Sequence, residues 1–392
     1  MRSEPIAVIG AGIGGLGLAL SLAARGLQVA VYEQASALGE IGAGLHLSPN
    51  GMKVARALGL GPALDAVAAR PRAITTRHYA SGAENFSGPL DADFEARFGA
   101  PFYSFHRADL HRVLTTAATA SPRITIRTAH RLEKLSLAAD QVTLTFDNGA
   151  EISAPVVVGA DGVHSRVRAA TLGELGARFT GHVAYRGMAA TEDLPPGLVP
   201  EMLNIWVGPG KHVVAYPVRR GELINYVALV EEDDWQNESW TTRASKAGLA
   251  EGFAAWHPTV RTLIDHTLSG ECYKWALLVR DPLQQWSTAR TTLLGDAAHP
   301  MVPYLAQGAV MALEDAWVLA ACLADEPDPG AALGRYQGAR QQRTADIQAA
   351  AWEQGQMNHA VGRGEDGDRF RGGRFSDPAW IYGHDVVAGY PL

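Results

Sequence analysis

The chain has 392 residues, 47% of them hydrophobic and 19% charged, with a formal net charge of −7 at neutral pH. That is long enough for two domains with substantial cores, and the acidic balance gives no electrostatic footprint for nucleic acid or an anionic membrane. Two cysteines, Cys272 and Cys322, are too few for a disulfide framework and read as small buried hydrophobes in a reducing compartment. No apolar run reaches the ~18–20 residues of a membrane span. The apolar run near the N-terminus is too short and too glycine-rich for a signal peptide, so a cytoplasmic protein is expected.

The first predicted elements are the most informative. Ala7-Val8-Ile9 is a short strand that breaks at Gly10-Ala11-Gly12-Ile13-Gly14-Gly15. A proline-free, Ala/Leu-rich helix follows from Leu16 to Arg25, then a second apolar strand from Gln28 to Tyr32 that ends at Glu33. Gly10 permits the turn, Gly12 admits a pyrophosphate to the backbone, and Gly15 lets the helix pack on the sheet. The helix N-terminus offers free N–H groups to phosphates. Glu33, 18 residues after Gly15, is placed to accept hydrogen bonds from a ribose. This is a dinucleotide site; it does not say which dinucleotide.

Gln34 to Gly39 is a polar connection. In Gly42-Ala43-Gly44-Leu45-His46 the glycines suggest backbone running against something flat or bulky, and His46 reads as either structural or ligand-contacting. Pro49-Asn50 starts a helix running to Leu60. From Ile74 to Phe105 short strands alternate with turn residues. Arg107 and Asp109 then open an Ala/Thr-rich helix ending near Ala120; Asp109 suits a helix start. Arg107 is a forked donor for a phosphate or a surface ion pair. Residues 123–158 read as strands, with Asn148-Gly149 as a hairpin turn between alternating runs. This meander delivers a second motif, Val156-Val157-Val158-Gly159-Ala160-Asp161-Gly162, in which Asp161 is either a ribose or phosphate-water ligand or a helix cap. Ser165 and Arg168 share one face of the helix beyond it.

Residues 178–280 contain many strand-like runs and only two helical ones, Thr242–Trp256 and Pro258–His266, which implies an antiparallel sheet. His212, Val214 and Tyr216 share one strand face by two-residue periodicity, facing either solvent or a pocket. A third motif, Leu293-Leu294-Gly295-Asp296, ends a strand. A proline-bounded loop with His299, read as structural, leads through Tyr304 and Gln307 to Gly308, where a long helix starts. A further helix spans about Ala331 to Asn358. The glycine-rich, charged segment 362–374 reads as mobile, and the aromatic tail after it as docking back on the body.

The three motifs together resemble the flavoprotein aromatic hydroxylases of the para-hydroxybenzoate hydroxylase fold, over nearly the whole chain. The resemblance implies an α/β fold: a Rossmann-like FAD-binding domain with a β-meander crossover (1–72, 100–177 and 281–330), an antiparallel-sheet substrate domain (73–99 and 178–280), and a C-terminal helix and tail (331–392). It implies FAD as cofactor and NADH or NADPH as a transient co-substrate without a domain of its own. For FAD it implies contacts from Gly10, Gly12, Gly14, Gly15, Glu33, Gln34, Ala43, Arg107, Leu132, Asp161, Asp296, Gly308 and Ala309, the last two at the pyrimidine edge of the flavin. It implies O2 as oxidant, transferred from a flavin C4a-hydroperoxide to a small phenolic or hydroxypyridine carboxylic acid. His46, His212, Tyr216, Tyr304 and Gln307 are the expected residues around that ring. Histidine suits proton transfer near neutrality; tyrosine needs tuning or a relay.

The branch that contains 6-hydroxynicotinate 3-monooxygenase, 3-hydroxybenzoate 6-hydroxylase and salicylate hydroxylase is similar. The first of these is the leading expectation, on the histidine loop at His46, on His212 and Tyr216, and on the Ala306-Gln307-Gly308 run. Tyr304 departs from it, and decarboxylation stays open. A flavin dehydrogenase without oxygen incorporation and a dinucleotide-binding sensor are the rivals. Oligomeric state, a homodimer included, is not legible.

Overall fold

The computed structural model describes residues 4–39, 43–173, 176–232, 243–361 and 373–392. Glu40–Gly42 of the histidine loop and nearly all of the low-complexity segment lie outside them. Among the described residues no helix is long and apolar enough to cross a membrane.

Five short apolar runs form a wholly parallel sheet in the order Thr291–Leu293, Val157–Gly159, Ile6–Ile9, Val29–Tyr32, Ile124–Arg127. Ile6–Ile9 and Val29–Tyr32 are buried at every position, as a parallel sheet covered on both faces requires. The glycine turn leads into the helix Ile13–Ala24. The expected run Ile152–Val158 divides: Glu151–Ala154 closes an antiparallel meander with Val142–Phe146 and Leu132–Leu137, whereas Val157–Gly159 enters the parallel sheet. Pro155, without an N–H for a ladder, lies at the break.

The second sheet has eight strands, in the order Arg243–Ser245, Glu271–Val279, Arg178–Ala190, Leu223–Glu231, Lys211–Val218, Leu203–Gly208, Ala73–His78, Glu84–Pro89. It is antiparallel except where Leu203–Gly208 runs parallel to Ala73–His78. Those two strands come from distant parts of the chain, so no hairpin sets their direction. The expected helix Thr242–Trp256 is instead a short edge strand followed by the helix Lys246–Gly252, capped by Ser245. Residues 73–105 also hold an unforeseen helix, Ala92–Phe98. The Asp91 side chain accepts the Phe94 N–H at its start, and Gly99 ends it at φ 79°.

Two long helices pack against each other. Gly308–Asp325 is apolar around almost its whole circumference and is buried accordingly. Pro329–Ala360 packs against it and against the loop Pro303–Leu305. The aromatic tail docks as expected: Tyr382 is buried, and the Trp317 indole N–H donates to the Tyr390 carbonyl at 2.8 Å.

Candidate active site

The three motifs meet at the carboxyl ends of three adjacent parallel strands. The Ala160 N–H donates to the Ile9 carbonyl at 2.8 Å, and the Leu294 N–H to the Gly159 carbonyl at 2.9 Å. Crevices at such strand ends, where the strand order reverses, are where α/β sheets bind ligands. Gly10 turns at φ 102°, and a β-carbon there would lie 2.5 Å from the Ala160 carbonyl oxygen. At Gly12, which lines a cavity, a β-carbon would meet no protein atom within 4 Å. Glu33 reaches back to the turn, accepting the Ala11 N–H at 2.8 Å and the Ala35 N–H at 2.9 Å.

From Gly12 and Gly14 a cavity of about 390 Å³ runs past Arg107, Gly162, Asp296, Gly308 and Ala309 to His46, His212, Tyr216 and Tyr304. Asp296 opens onto this cavity; burial pushes its carboxyl up, against the pull of His299 and Arg107. The Arg107 guanidinium is pushed down by burial and held up by Asp296. The free N–H groups at the start of the helix Gly308–Asp325 meet the cavity where Gly308 and Ala309 line it. Glycine-turn N–H groups, one arginine and a helix N-terminus form a donor set suited to a pyrophosphate and to the electron-rich edge of a reduced ring.

At the far end the strand face alternates as expected, and His212, Val214 and Tyr216 all line the cavity. His46 Nδ1 lies 2.9 Å from Ser104 Oγ, and its ring centroid is 4.1 Å from that of Tyr216. Burial lowers the His46 pKa to about 3. Burial, with His359 and His182 beside it, also holds the His212 pKa well below its ordinary value. Burial raises the Tyr216 pKa, and burial with Glu231 raises that of Tyr304. Around neutrality these four rings are therefore uncharged hydrogen-bonding groups. Between them the walls are apolar, including Leu203, Ile205, Val227, Trp275 and Leu277.

Five further expected residues do not line the cavity: Gln307, Asp161, Leu132, Gln34 and Ala43. Gln307 is buried away from the cavity: its amide donates to Ser48 Oγ at 3.0 Å and accepts from Asn50 Nδ2 at 3.2 Å. Asp161 caps the next helix, accepting the Ser165 hydroxyl at 2.5 Å and the Arg166 N–H at 2.8 Å. The Leu132 carbonyl accepts from Arg166 at 2.9 Å. Gln34 is exposed, and Ala43 contributes a carbonyl that accepts the Arg107 N–H at 2.8 Å. His299 is structural, as expected, with Nε2 2.5 Å from Asp315 Oδ2.

Sequence reasoning missed Ser104, His182, Glu231 and His359. Their positions depend on strand register, for example His182 opposite Glu231, and on where the C-terminal helix docks. Neither leaves a local signal.

The FAD binding domain family matches residues 3–351. The chain is 41% identical to a 3-amino-4-hydroxybenzoate 2-monooxygenase from Streptomyces platensis, over 97% of this chain and 96% of that protein. It is 38% identical to a 6-hydroxynicotinate 3-monooxygenase from Bordetella bronchiseptica, over 99% and 97%. The structure of Klebsiella pneumoniae HpxO complexed with FAD and uric acid superposes with a TM-score of 0.86 at 28% identity, covering 100% of this chain and 99% of that one.

The chain belongs to this family of FAD-dependent aromatic monooxygenases. The monooxygenase takes FAD as its cofactor, with NAD(P)H as co-substrate, and its cavity fits that assignment, being continuous from the glycine turn to the ring of histidines and tyrosines.

Proposed function

We propose that this monooxygenase hydroxylates a small hydroxybenzoate of the 3-amino-4-hydroxybenzoate type, using O2 and electrons from NADH or NADPH. The observation that carries this is the far end of the cavity, an apolar chamber fringed by His46, His212, Tyr216 and Tyr304 and adjoining Gly308–Ala309. Its apolar walls with a few polar groups among them suit an aromatic ring. The relative quoted above at 41% identity is named for such a ring.

Gly12, Gly14, Arg107, Asp296 and the helix start at Gly308 would hold FAD, and Glu33 its ribose. Bound FAD supplies the electron path and the activation of O2. The remaining chemistry falls to the chain. The apolar walls exclude water and hold the ring flat, Tyr216 directs its hydroxyl at a substituent, Tyr304 lines the chamber with its hydroxyl 2.5 Å from His182 Nδ1, and a neutral histidine takes the phenolic proton, which makes the ring more electron-rich. His212 is the favoured acceptor, because its Nδ1 lies 2.8 Å from a second imidazole, His359 Nε2, whereas the partner of His46 Nδ1 is the Ser104 hydroxyl.

A second reading, 6-hydroxynicotinate hydroxylation with loss of CO2, is favoured by the joint presence of His46, His212 and Tyr216 and opposed by Tyr304.

The test is NADH and NADPH oxidation by the FAD-loaded protein with 3-amino-4-hydroxybenzoate, 6-hydroxynicotinate, 3-hydroxybenzoate and salicylate, with products identified by mass after reaction under isotopically labelled O2. Stimulation and label incorporation with the first compound are expected. Faster turnover with 6-hydroxynicotinate, accompanied by CO2, replaces the first reading with the second. No stimulation by any aromatic acid overturns both.

A further inference from the structure

A histidine held neutral by burial can accept a proton but is a poor place to keep one. His212 is 1% exposed, so a proton taken from a substrate hydroxyl needs an onward path. The structure contains a continuous one. His212 Nδ1 lies 2.8 Å from His359 Nε2, and His359 Nδ1 lies 3.3 Å from Glu231 Oε1. His359 is itself buried, whereas the Glu231 side chain is 34% exposed. His182 and Tyr304 flank this line: His182 Nδ1 is 2.5 Å from the Tyr304 hydroxyl, and the His182 and His359 rings are 4.6 Å apart. Three elements make the chain: the adjacent strands Lys211–Val218 and Leu223–Glu231, and, far from them in sequence, the last turn of the helix Pro329–Ala360.

Resting on the reading above, we propose that His359 and Glu231 form a proton relay that carries the substrate's phenolic proton from His212 to the surface. The phenol O–H bond breaks and its proton goes to His212 Nε2. The Nδ1 proton of His212 passes to His359 Nε2, the Nδ1 proton of His359 passes to Glu231 Oε1, and Glu231 releases it to water. No electrons change hands, neither histidine is left charged, and the substrate remains as its phenolate. Reprotonation of the product runs the line in reverse and restores both tautomers.

His182, Glu231 and His359 also offer ligand atoms within 4.8 Å of one another. Both ring nitrogens of His359 are already occupied by the line just described, which favours proton transfer over a cation.

The test uses the FAD-loaded protein with 3-amino-4-hydroxybenzoate bound. After a rapid pH jump, the phenolate absorbance of the bound ligand is followed by stopped flow. His359→Gln and Glu231→Gln should keep ligand Kd within about twofold and slow proton equilibration by about tenfold or more. Imidazole added to His359→Ala should restore the rate. Glu231→Gln lies at the exposed end, so it reports even where a His359 replacement perturbs folding. Wild-type equilibration rates in Glu231→Gln and in folded His359→Gln would overturn the relay. If the wild type does not bind 3-amino-4-hydroxybenzoate, the substrate assignment falls, and the same pH jump is run with whichever hydroxylated acid of the panel binds. If none binds, relay and substrate reading fall together.

Discussion

The glycines of the turn separate two kinds of residue requirement. Gly10 is needed by the protein, because its backbone is left-handed and a β-carbon would press on the Ala160 carbonyl. Gly12 has no such requirement, since a β-carbon there would meet no protein atom within 4 Å, and the proposed FAD is what would need it small. Gly10→Ala should therefore lower the melting temperature of the FAD-free protein. Gly12→Ala should leave that temperature nearly unchanged while weakening FAD binding, measured by flavin fluorescence. Equal thermal losses in both would contradict the assignment of the space at Gly12 to FAD.

The buried histidines give a second residue-scale consequence. His46 has its pKa lowered from 6.5 to about 3, so between those values the unfolded chain binds the proton that the folded one refuses. The stability due to neutral His46 is complete above pH 6.5 and is lost as pH falls toward 3; His212 is shifted in the same direction. His46→Asn removes one titrating group and should flatten the acid decline of unfolding free energy by up to about 1.4 kcal/mol per pH unit. An unchanged slope in denaturant titrations between neutrality and about pH 4 would show that His46 does not carry it.

At the scale of elements, the helix Gly308–Asp325 buries two adjacent carboxylates, Glu314 and Asp315, in an otherwise apolar stretch. Burial would raise both; Arg340 with Arg343, and His299 with Arg340, hold them below the ordinary carboxylate range. Arg340 donates to Asp315 at 2.8 Å and pairs with Glu314 at 2.8 Å. Glu314 also accepts the Asn50 amide at 2.7 Å, and Asn50 donates to Gln307 at the head of the same helix. The long C-terminal helix is thus tied through charge to the segment that begins at Gly308. Arg340→Met would remove the cation shared by two buried anions, leaving Glu314 to Arg343 and Asp315 to His299, and a loss of about 3 kcal/mol is expected in urea unfolding. A loss below about 1 kcal/mol would mean that the pair relaxes by taking up protons. Tyr304→Phe, removing one buried hydrogen bond to His182, should cost about 1–2 kcal/mol, visible as a modest drop in melting temperature.

For the whole molecule, the cavity is lined by residues of the second sheet, of the loops at the ends of the parallel strands and of the helix N-terminus at Gly308, so a ligand filling it adds contacts to all of them at once. Titrating FAD into the deflavinated protein should raise the melting temperature without a plateau at one equivalent, in step with about 2.7 kcal/mol at a hundredfold excess over Kd. A melting temperature indifferent to FAD would refute binding to the folded state.

Much of this architecture follows from local chain chemistry. Apolar runs broken by glycine specify the parallel strands and the turn at Gly10. Two-residue alternation puts His212 and Tyr216 on one face, and an all-round apolar helix at Gly308–Asp325 must be buried. These are properties of neighbours in sequence, and one chain displays them. The register that sets His182 opposite Glu231, the split of the Ile152–Val158 run between two sheets, the turning of Gln307 toward Ser48 and Asn50, and the docking of His359 against His212 are different in kind. Each depends on contacts between segments far apart in the chain, whose energies arise only once the core has closed. The nature of the cofactor pocket was therefore written in the sequence, whereas the path by which a proton leaves it was decided by the tertiary structure.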